Sequence, residues 1–584
     1  MAALMNAIDS YTPTQTGENG HTEYTWSNDL QERIVQFSFQ IVRCDSSVVS
    51  SLGKILRQII VDLKGIQLKN KEKFIELMTT LYKMIGHTRD IIDGKGEYTL
   101  AYMQILVWNE FYPDLAQFAL KHFVLSPMTD ELTTAHPYGS WKDIKYFCDY
   151  ANEHGKPFND PLLKFAFKLV IDQLQLDSKV SDHKKMSLVA KWVPRAKSAR
   201  FGWIFNELAT TYFSEYMVTA KTTVQRFSAS KKCYTEFRKL LSKMNMELDT
   251  VQIKQCSNHW ADINHATTTS ITISKQKKAF LNVKKDGTQR SELEDRIQCA
   301  TTFTERIKKA VAGEVEIKGK RVGLNNFTVQ ARDLIKNARN PFNKTEIDLL
   351  NSQWKSNASQ TGALCNMIAM VDFSGSMNGD PIDCAMALGC RVAEKSILGR
   401  RVLSFSANPT WHNLDGCTEF VDMIRSLQQG EIGYSTDFYK AFDVILNSII
   451  IKKLKPHEVK DMVLAIFSDM QINSNESGAP KDMASFYDVI ARKYSDAGIK
   501  LYGEPFAVPH ILFWNLRSTS GFPSLSSQKN VSMMSGFSPA LLNTFCEKGV
   551  AAFQDCSPWL ILKEQLKNDR YICLEEKVND KFTF

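Results

Sequence analysis

Apolar positions recur every three or four residues along most of residues 27–245. In "KEKFIELMTTLYKMIG" they fall at Phe74, Leu77, Met78, Leu81, Met84 and Ile85, one face of an amphipathic helix. "VVSSLGKILRQIIVDL", "TLAYMQILVWNEF" and "PLLKFAFKLVIDQL" behave similarly, and the breaks between them are short and marked by Gly, Pro or Asp. Many helices joined by short turns predict stacked helical pairs. In "HPYGSWKDIKYFCDY", Ser140 with Asp143 three residues on predicts a capped helix start, with Trp141 buried in the first turn. "TRDIIDGKGEYT" holds Gly94-Lys95-Gly96 but lacks the strand and spacing of a phosphate loop, so it reads as a helix-to-helix turn.

The texture then changes. "NARNPFNKTEIDLLNSQWKSNASQTG" runs polar, breaks the helical pattern and is expected to be a linker. Beyond it, apolar runs alternate with amphipathic ones. "LCNMIAMVD", "RVLSFS", "KDMVLAIFSDM" and "HILFWNL" read as strands. "PIDCAMALGCRVAEK", "CTEFVDMIRSLQQG", "STDFYKAFDVILNSIIIKK", "MASFYDVIARKYSDAG" and "SPALLNTFCEKG" read as helices, with Pro381 suited to a first turn. This alternation predicts a doubly wound, mostly parallel sheet covered on both faces, whose ligands sit at the carboxyl ends of the strands. The expected fold class is therefore α + α/β, multidomain. The expected division is a disordered tail over 1–26, a HEAT-like helical domain without strict sequence period over 27–345, a linker over 346–361, and the α/β domain over 362–584.

Length and charge sharpen this picture. A chain of 584 residues is too long for one core. No run reaches the roughly 18 apolar residues of a membrane span, and the first residues lack the basic and apolar regions of a secretory signal. The twelve cysteines lie singly, without C-x-x-C pairs, which predicts reduced thiols in a cytoplasmic protein and no structural zinc. The formal charge of +8 is uneven, since residues 361–584 carry 22 Lys+Arg against 25 Asp+Glu, leaving 50 against 39 for the rest. Basic residues thicken at Lys184, Lys185, Lys191, Arg195, Lys197 and Arg200, interleaved with Trp192, Phe201 and Trp203. A second group is Lys231, Lys232, Arg238 and Lys239, and a third lies in "SKQKKAFLNVKKDGTQR". Cations for phosphate beside aromatic faces suit single-stranded RNA. The plainer alternative is solvated lysines above core aromatics.

Candidate chemistry concentrates in "AMVDFSGSMNGDPIDCAMALG". Asp372, Ser374 and Ser376 leave the end of the first strand of the α/β half. Asp469 stands at the end of a later strand, and Thr436 in the loop "GYSTDF" that opens a helix. Two carboxylates and three hydroxyls on one sheet edge suit Mg²⁺ or Mn²⁺. A metal-dependent phosphohydrolase would also need a general base; Asp437 and Asp380 are near, but each reads better as a helix cap.

D-x-S-x-S, a loop Thr and a strand-end Asp, in this order, resemble the metal-ion-dependent adhesion site of von Willebrand factor A domains. The resemblance implies that Asp372, Ser374, Ser376, Thr436 and Asp469 hold the ion, with a position open to an acidic side chain of a protein partner. More widely, "HPYGSWKDI", "AKWVPRAKSA", "GYSTDFYKAFDVIL" and "FWNL…SGFSPALL" resemble the plant, fungal and giant-virus family of domain of unknown function 2828. The domain order, with "GSWKD", is similar to the TROVE proteins, in which a helical ring that binds non-coding RNA joins a von Willebrand A domain. These resemblances imply a non-enzymatic binding or scaffold protein that takes Mg²⁺ and RNA or protein partners without a membrane. The alternative is a structural protein of a large DNA virus, packaged in the virion, with a vestigial metal site.

Overall fold

The computed structural model describes residues 13–582 except 19, 129–134, 338–342, 365, 407, 430–436, 461, 472–485 and 547–554. Mixed α + α/β architecture is observed. The described part of the expected tail is ordered: strands β1 (Thr14–Thr16) and β2 (Thr22–Tyr24) pair antiparallel, and Tyr24 bridges to Phe522. A hairpin this small is marginal alone, and contact with the distant 522 segment gives it a surface to lie on.

The helical half begins with α1 (Leu30–Gln40), α2 (Ser46–Ile66), α3 (Lys71–Arg89), α4 (Tyr98–Phe111) and α5 (Pro113–His122). Local sequence sets several of these starts: Asp29, Asp45 and Asn70 each accept a first-turn N–H, and Pro113 occupies the first turn of α5. All six apolar positions that define the α3 face are buried. Next come α6 (Lys142–Glu153), α7 (Pro161–Asp177), α8 (Gly202–Tyr212), α9 (Thr223–Glu247), α10 (Ser270–Phe280) and α11 (Glu294–Val311). At the start of α6 the Ser140 N–H donates to Asp143 at 2.8 Å, and Trp141 is buried. Asp143 is also a hub, held by Arg89 through two bonds of 2.6 and 2.7 Å and by the Tyr102 hydroxyl at 2.7 Å.

The segment expected as a linker is structured instead. It forms most of α13 (Asn343–Ala358), which packs with α12 (Leu324–Lys336) against the α/β half. Trp354 stacks on Phe420 with centroids 3.9 Å apart, lies under the Arg391 guanidinium, and donates to Glu394 at 2.8 Å. Its apolar anchors are few but large, so the helix is held by tertiary burial rather than by a long apolar stripe.

The main sheet has the order β5-β4-β3-β6-β7-β8, with β3 (Met367–Asp372), β4 (Arg401–Phe405), β5 (Thr410–Asn413), β6 (Val463–Ser468), β7 (His510–Asn515) and β8 (Val531–Ser535). All neighbours are parallel except β4 and β5. Neither β5 nor β8 stands out in the apolar pattern, and "SPALLNTFCEKG" forms a 3₁₀ turn over Pro539–Phe545 rather than an α-helix. One face carries Ala369, Val371, Val463, Ala465, Phe467, Leu512 and Trp514, covered by α12, α13, α14 (Asp380–Lys395) and α15 (Phe420–Leu427). The other carries Met370, Leu464, Ile466, Ile511 and Phe513, covered by α16 (Phe438–Ile451) and α17 (Phe486–Tyr502). Burial on both faces explains why β6 reads as a continuous apolar run.

The two halves share contacts throughout. After α18 (Pro558–Gln565), α19 (Ile572–Phe582) returns to lie along α3, with Phe582 edge-on to Phe74 at 5.1 Å and Lys83 paired to Glu575 at 2.6 Å. Lys95, in the Gly94-Lys95-Gly96 turn, is buried and donates to Ser38 O at 2.7 Å, Ile41 O at 3.0 Å and Ser535 Oγ at 2.7 Å. It thereby joins the helical half to the end of β8.

Candidate metal centre and basic surface

The chain runs β3, β4, β5 outward in one direction, then crosses to β6 and runs β7, β8 outward in the other. The connections leave β3 and β6 on opposite sides, and such a switch point opens a crevice at the carboxyl ends of the strands. Asp372 closes β3 and Asp469 follows β6, so both carboxylates stand at the carboxyl ends of the two strands that flank the switch point. Neither exposes any surface to solvent.

Local interactions aim the first loop. Phe373 and Met377 are buried in the core, and the Phe373 N–H donates to Phe405 O at 2.8 Å. With the apolar side chains turned inward, Asp372 Oδ1 accepts from the Ser374 N–H at 2.8 Å, and the hydroxyls of Ser374 and Ser376 lie 3.0 Å apart. Gly379, at φ 94°, makes the sharp entry into α14. Beyond β6, Met470 adopts φ 62°, an unfavourable left-handed conformation for a side chain of this size, and turns the backbone directly after Asp469. Its N–H is held by Ser468 Oγ at 3.0 Å.

The electrostatics are lopsided. Burial, and then the neighbouring Asp469 carboxylate, push Asp372 up to about 7, against the opposing bonds from Ser468 and Ser374. Asp469 Oδ1 accepts from the Gln471 N–H at 3.3 Å, and its Oδ2 faces Arg517 Nη1 at 3.3 Å. The same Arg517 nitrogen lies 3.3 Å from Ser376 O. Asp372, Ser374, Ser376 and Asp469 are therefore gathered on one edge. Thr436 lies outside the described residues; its neighbour Asp437 donates its N–H to Ser406 O, just past the end of β4 on the same edge.

Of the two nearby acids expected to be caps, Asp437 does accept the Lys440 N–H at the start of α16. Asp380 instead pairs with Arg43 at 3.2 Å. Sequence reading missed Ser468 and Arg517. Their signal is position alone: Ser468 precedes Asp469 in "FSDM", and Arg517 follows the end of β7 in "FWNLR".

The basic positions fall into separate settings. Lys184 and Lys185 occupy an exposed 3₁₀ turn, and Arg195 and Lys197 are exposed nearby. Lys191 lies 5.7 Å from the Trp192 ring, which Lys145 at 5.0 Å and Lys142 at 5.8 Å also approach. Partial burial lowers all three lysines below their ordinary range, and Lys275 repels Lys142 as well. Lys142 and Lys145 were not singled out from sequence; they lie on α6, ahead of the densest basic stretch. Arg200 is 5.2 Å from the Phe201 ring but is already paired with Asp149 at 2.5 Å and Glu153 at 3.6 Å. On α9, Lys231 and Lys232 sit over Phe227 and Tyr216, Arg238 donates to Thr235, and Lys239 pairs with Glu236 at 3.0 Å. Asn245, near the end of α9, donates to Ala190 O beside Lys191 at 3.2 Å.

Fold and site define an α + α/β chain with a carboxylate pair at the switch point of its sheet. Residues 366–582, which contain that sheet, match the family model described as Domain of unknown function (DUF7788). The chain is also 26% identical over 545 residues to an uncharacterized protein of Acanthamoeba polyphaga mimivirus, covering 90% of this chain and 83% of the relative. That likeness spans both halves. Among the described residues, no helix is long and apolar enough to cross a membrane.

Proposed function

We propose that this is a non-enzymatic binding protein whose sheet holds Mg²⁺, or Mn²⁺, at the crevice between β3 and β6. The observation that supports this reading is the pair Asp372 and Asp469, two carboxylates fully buried at the ends of adjacent parallel strands. Like charges withdrawn from water together need a cation to stay ionised. The donors around them are hydroxyls and carboxylates, the hard oxygen set that Mg²⁺ and Mn²⁺ prefer. Asp372, Ser374, Ser376 and Asp469 would hold the ion, with Thr436 as a further donor. A bound ion would supply Lewis acidity at a position open to the carboxylate of a protein partner. The switch-point placement fits the resemblance to von Willebrand A domains. The wider resemblance to domain of unknown function 2828 and to the TROVE architecture, with HEAT-like helical pairs, belongs to the same reading.

RNA, single-stranded or structured, is the proposed ligand of the helical half. The support is the cluster of Lys142, Lys145 and Lys191 around Trp192, one exposed and two half-buried cations beside an aromatic face. A cytoplasmic location accompanies this reading. A second reading is a structural protein packaged in the particle of a large DNA virus, with a vestigial metal site; its support is only that the relative belongs to such a virus.

Thermal unfolding with Mg²⁺ and with chelator tests the metal. The natural chain is expected to gain stability from Mg²⁺, and Asp372→Ala to fold and gain none. A natural chain indifferent to Mg²⁺, or an Asp372→Ala variant that gains as much, overturns the assignment.

A further inference from the structure

Arg517 is the one guanidinium that reaches both loops of the candidate metal centre among the described residues. Its Nη1 lies 3.3 Å from Asp469 Oδ2 and 3.3 Å from Ser376 O, so a single nitrogen spans the β3 and β6 loops. The loop that carries it is anchored on three sides. The Arg517 N–H donates to Asn515 Oδ1 at 3.1 Å, the Thr519 N–H donates to Gln40 Oε1 at 3.3 Å, and Gln471 Nε2 donates to Thr519 Oγ1 at 2.8 Å. The backbone is thus fixed, whereas the side chain is half-exposed. Asp469, by contrast, is fully buried, and no other cation is paired with it among the described residues.

We propose that Arg517 is a tethered counter-cation that competes with the divalent ion for Asp469. Charge balance is the reason. With Arg517 in place, the two buried carboxylates face one positive charge. A divalent ion drawn to the same oxygens would be repelled by the guanidinium until it swings away. Arg517 would thereby set how much free Mg²⁺ the site requires, and binding would release its guanidinium toward solvent at the mouth of the crevice. This inference rests on the metal reading above, but the two can fail separately.

The experiment is a Mg²⁺ titration of the full chain and of R517Q, read by isothermal calorimetry and by thermal unfolding, with R517K as the charge-retaining control. Without Mg²⁺, R517Q is expected to unfold at lower temperature than the natural chain. It should bind Mg²⁺ roughly fivefold more tightly, the upper end for a half-exposed ion pair, while R517K stays near the natural affinity. A natural chain that does not bind, beside an R517Q variant that does, would support the tethered cation in its strongest form and overturn the metal reading of the natural chain. Equal affinity in both would overturn this inference and leave the metal reading standing. Binding by neither would overturn both.

Discussion

Asp372 Oδ2 accepts a hydrogen bond from Ser468 Oγ at 2.6 Å, a buried contact between the carboxyl ends of β3 and β6. It joins two strands that the chain separates by 96 positions, and it offsets part of the unfavourable burial of Asp372. Ser468→Ala removes the only side-chain donor to that oxygen among the described residues and also frees the Met470 N–H. Above about pH 8, where Asp372 is ionised, the expected loss is about 1.5–3 kcal/mol, the range for a hydrogen bond to a charged group. Urea unfolding without divalent ions measures it, and an unchanged midpoint would show that the contact adds nothing.

Directly ahead of α19, Arg570 meets Asp90 at the end of α3. Their bidentate pair, at 2.7 and 2.8 Å, is buried, and the Tyr571 hydroxyl adds a third bond to Asp90 at 3.1 Å. Arg570→Ala strands a buried carboxylate and should destabilise by about 3–5 kcal/mol. Replacing both partners, as Asp90→Leu with Arg570→Met, should recover much of that loss because no unpaired charge remains. Limited proteolysis should then cut near residues 558–582 faster in the single variant than in the double. Equal rates would separate the ion pair from the docking of α19.

Acid sensitivity should come partly from buried histidines. Burial, with Lys95 nearby, lowers His87 to about 3, and burial lowers His122 to about 4. A group whose folded value lies below its unfolded one takes up its proton first in the unfolded chain. Stability is therefore complete above about pH 6.5 and declines as the pH falls toward 4 and below. Each such histidine contributes a slope of up to about 1.4 kcal/mol per pH unit. His87→Phe should flatten the decline of unfolding temperature between pH 6.5 and 4. A parallel curve would mean that His87 is protonated inside the fold.

RNA binding on the Trp192 surface should be carried by Lys142, Lys145 and Lys191, which have no ion pair among the described residues, rather than by Arg200. Substituting Lys142, Lys145 and Lys191 with Gln should weaken every single-stranded RNA about equally and reduce the salt slope by about 2. Arg200→Gln should change binding little, since Asp149 and Glu153 already neutralise it. The full chain is the right reagent, because a fragment ending near residue 345 would uncover the faces of α1 and α3 that pack on β8 and α19. Filter binding at two salt concentrations decides the matter, and no retention at the lower one ends the RNA reading.

Local physics made much of this legible in the sequence. The 3.6-residue spacing of Phe74, Leu77, Met78, Leu81, Met84 and Ile85 marks α3 because each residue's face follows from its neighbours alone. Continuous apolar runs mark β3 and β6, and polar residues directly after them put Asp372 and Asp469 on the carboxyl edge of a parallel sheet. Helix α13 escaped notice because its buried polar residues are satisfied from far away. Gln353 donates to Lys318 O at 2.8 Å, and Ser356 to Glu316 at 2.6 Å, so a locally polar pattern hides a buried helix. Strand β5 has four residues and is mostly exposed, and β8 reads "VSMMS", with serines at two of its five buried positions, so neither shows as an apolar run. What joins Asp372 to Ser468, Asp469 to Arg517 and Lys95 to Ser535 is strand order and the packing of the two halves. Each pair lies 48 to 440 positions apart, and no local preference can encode which distant side chain completes a buried charge.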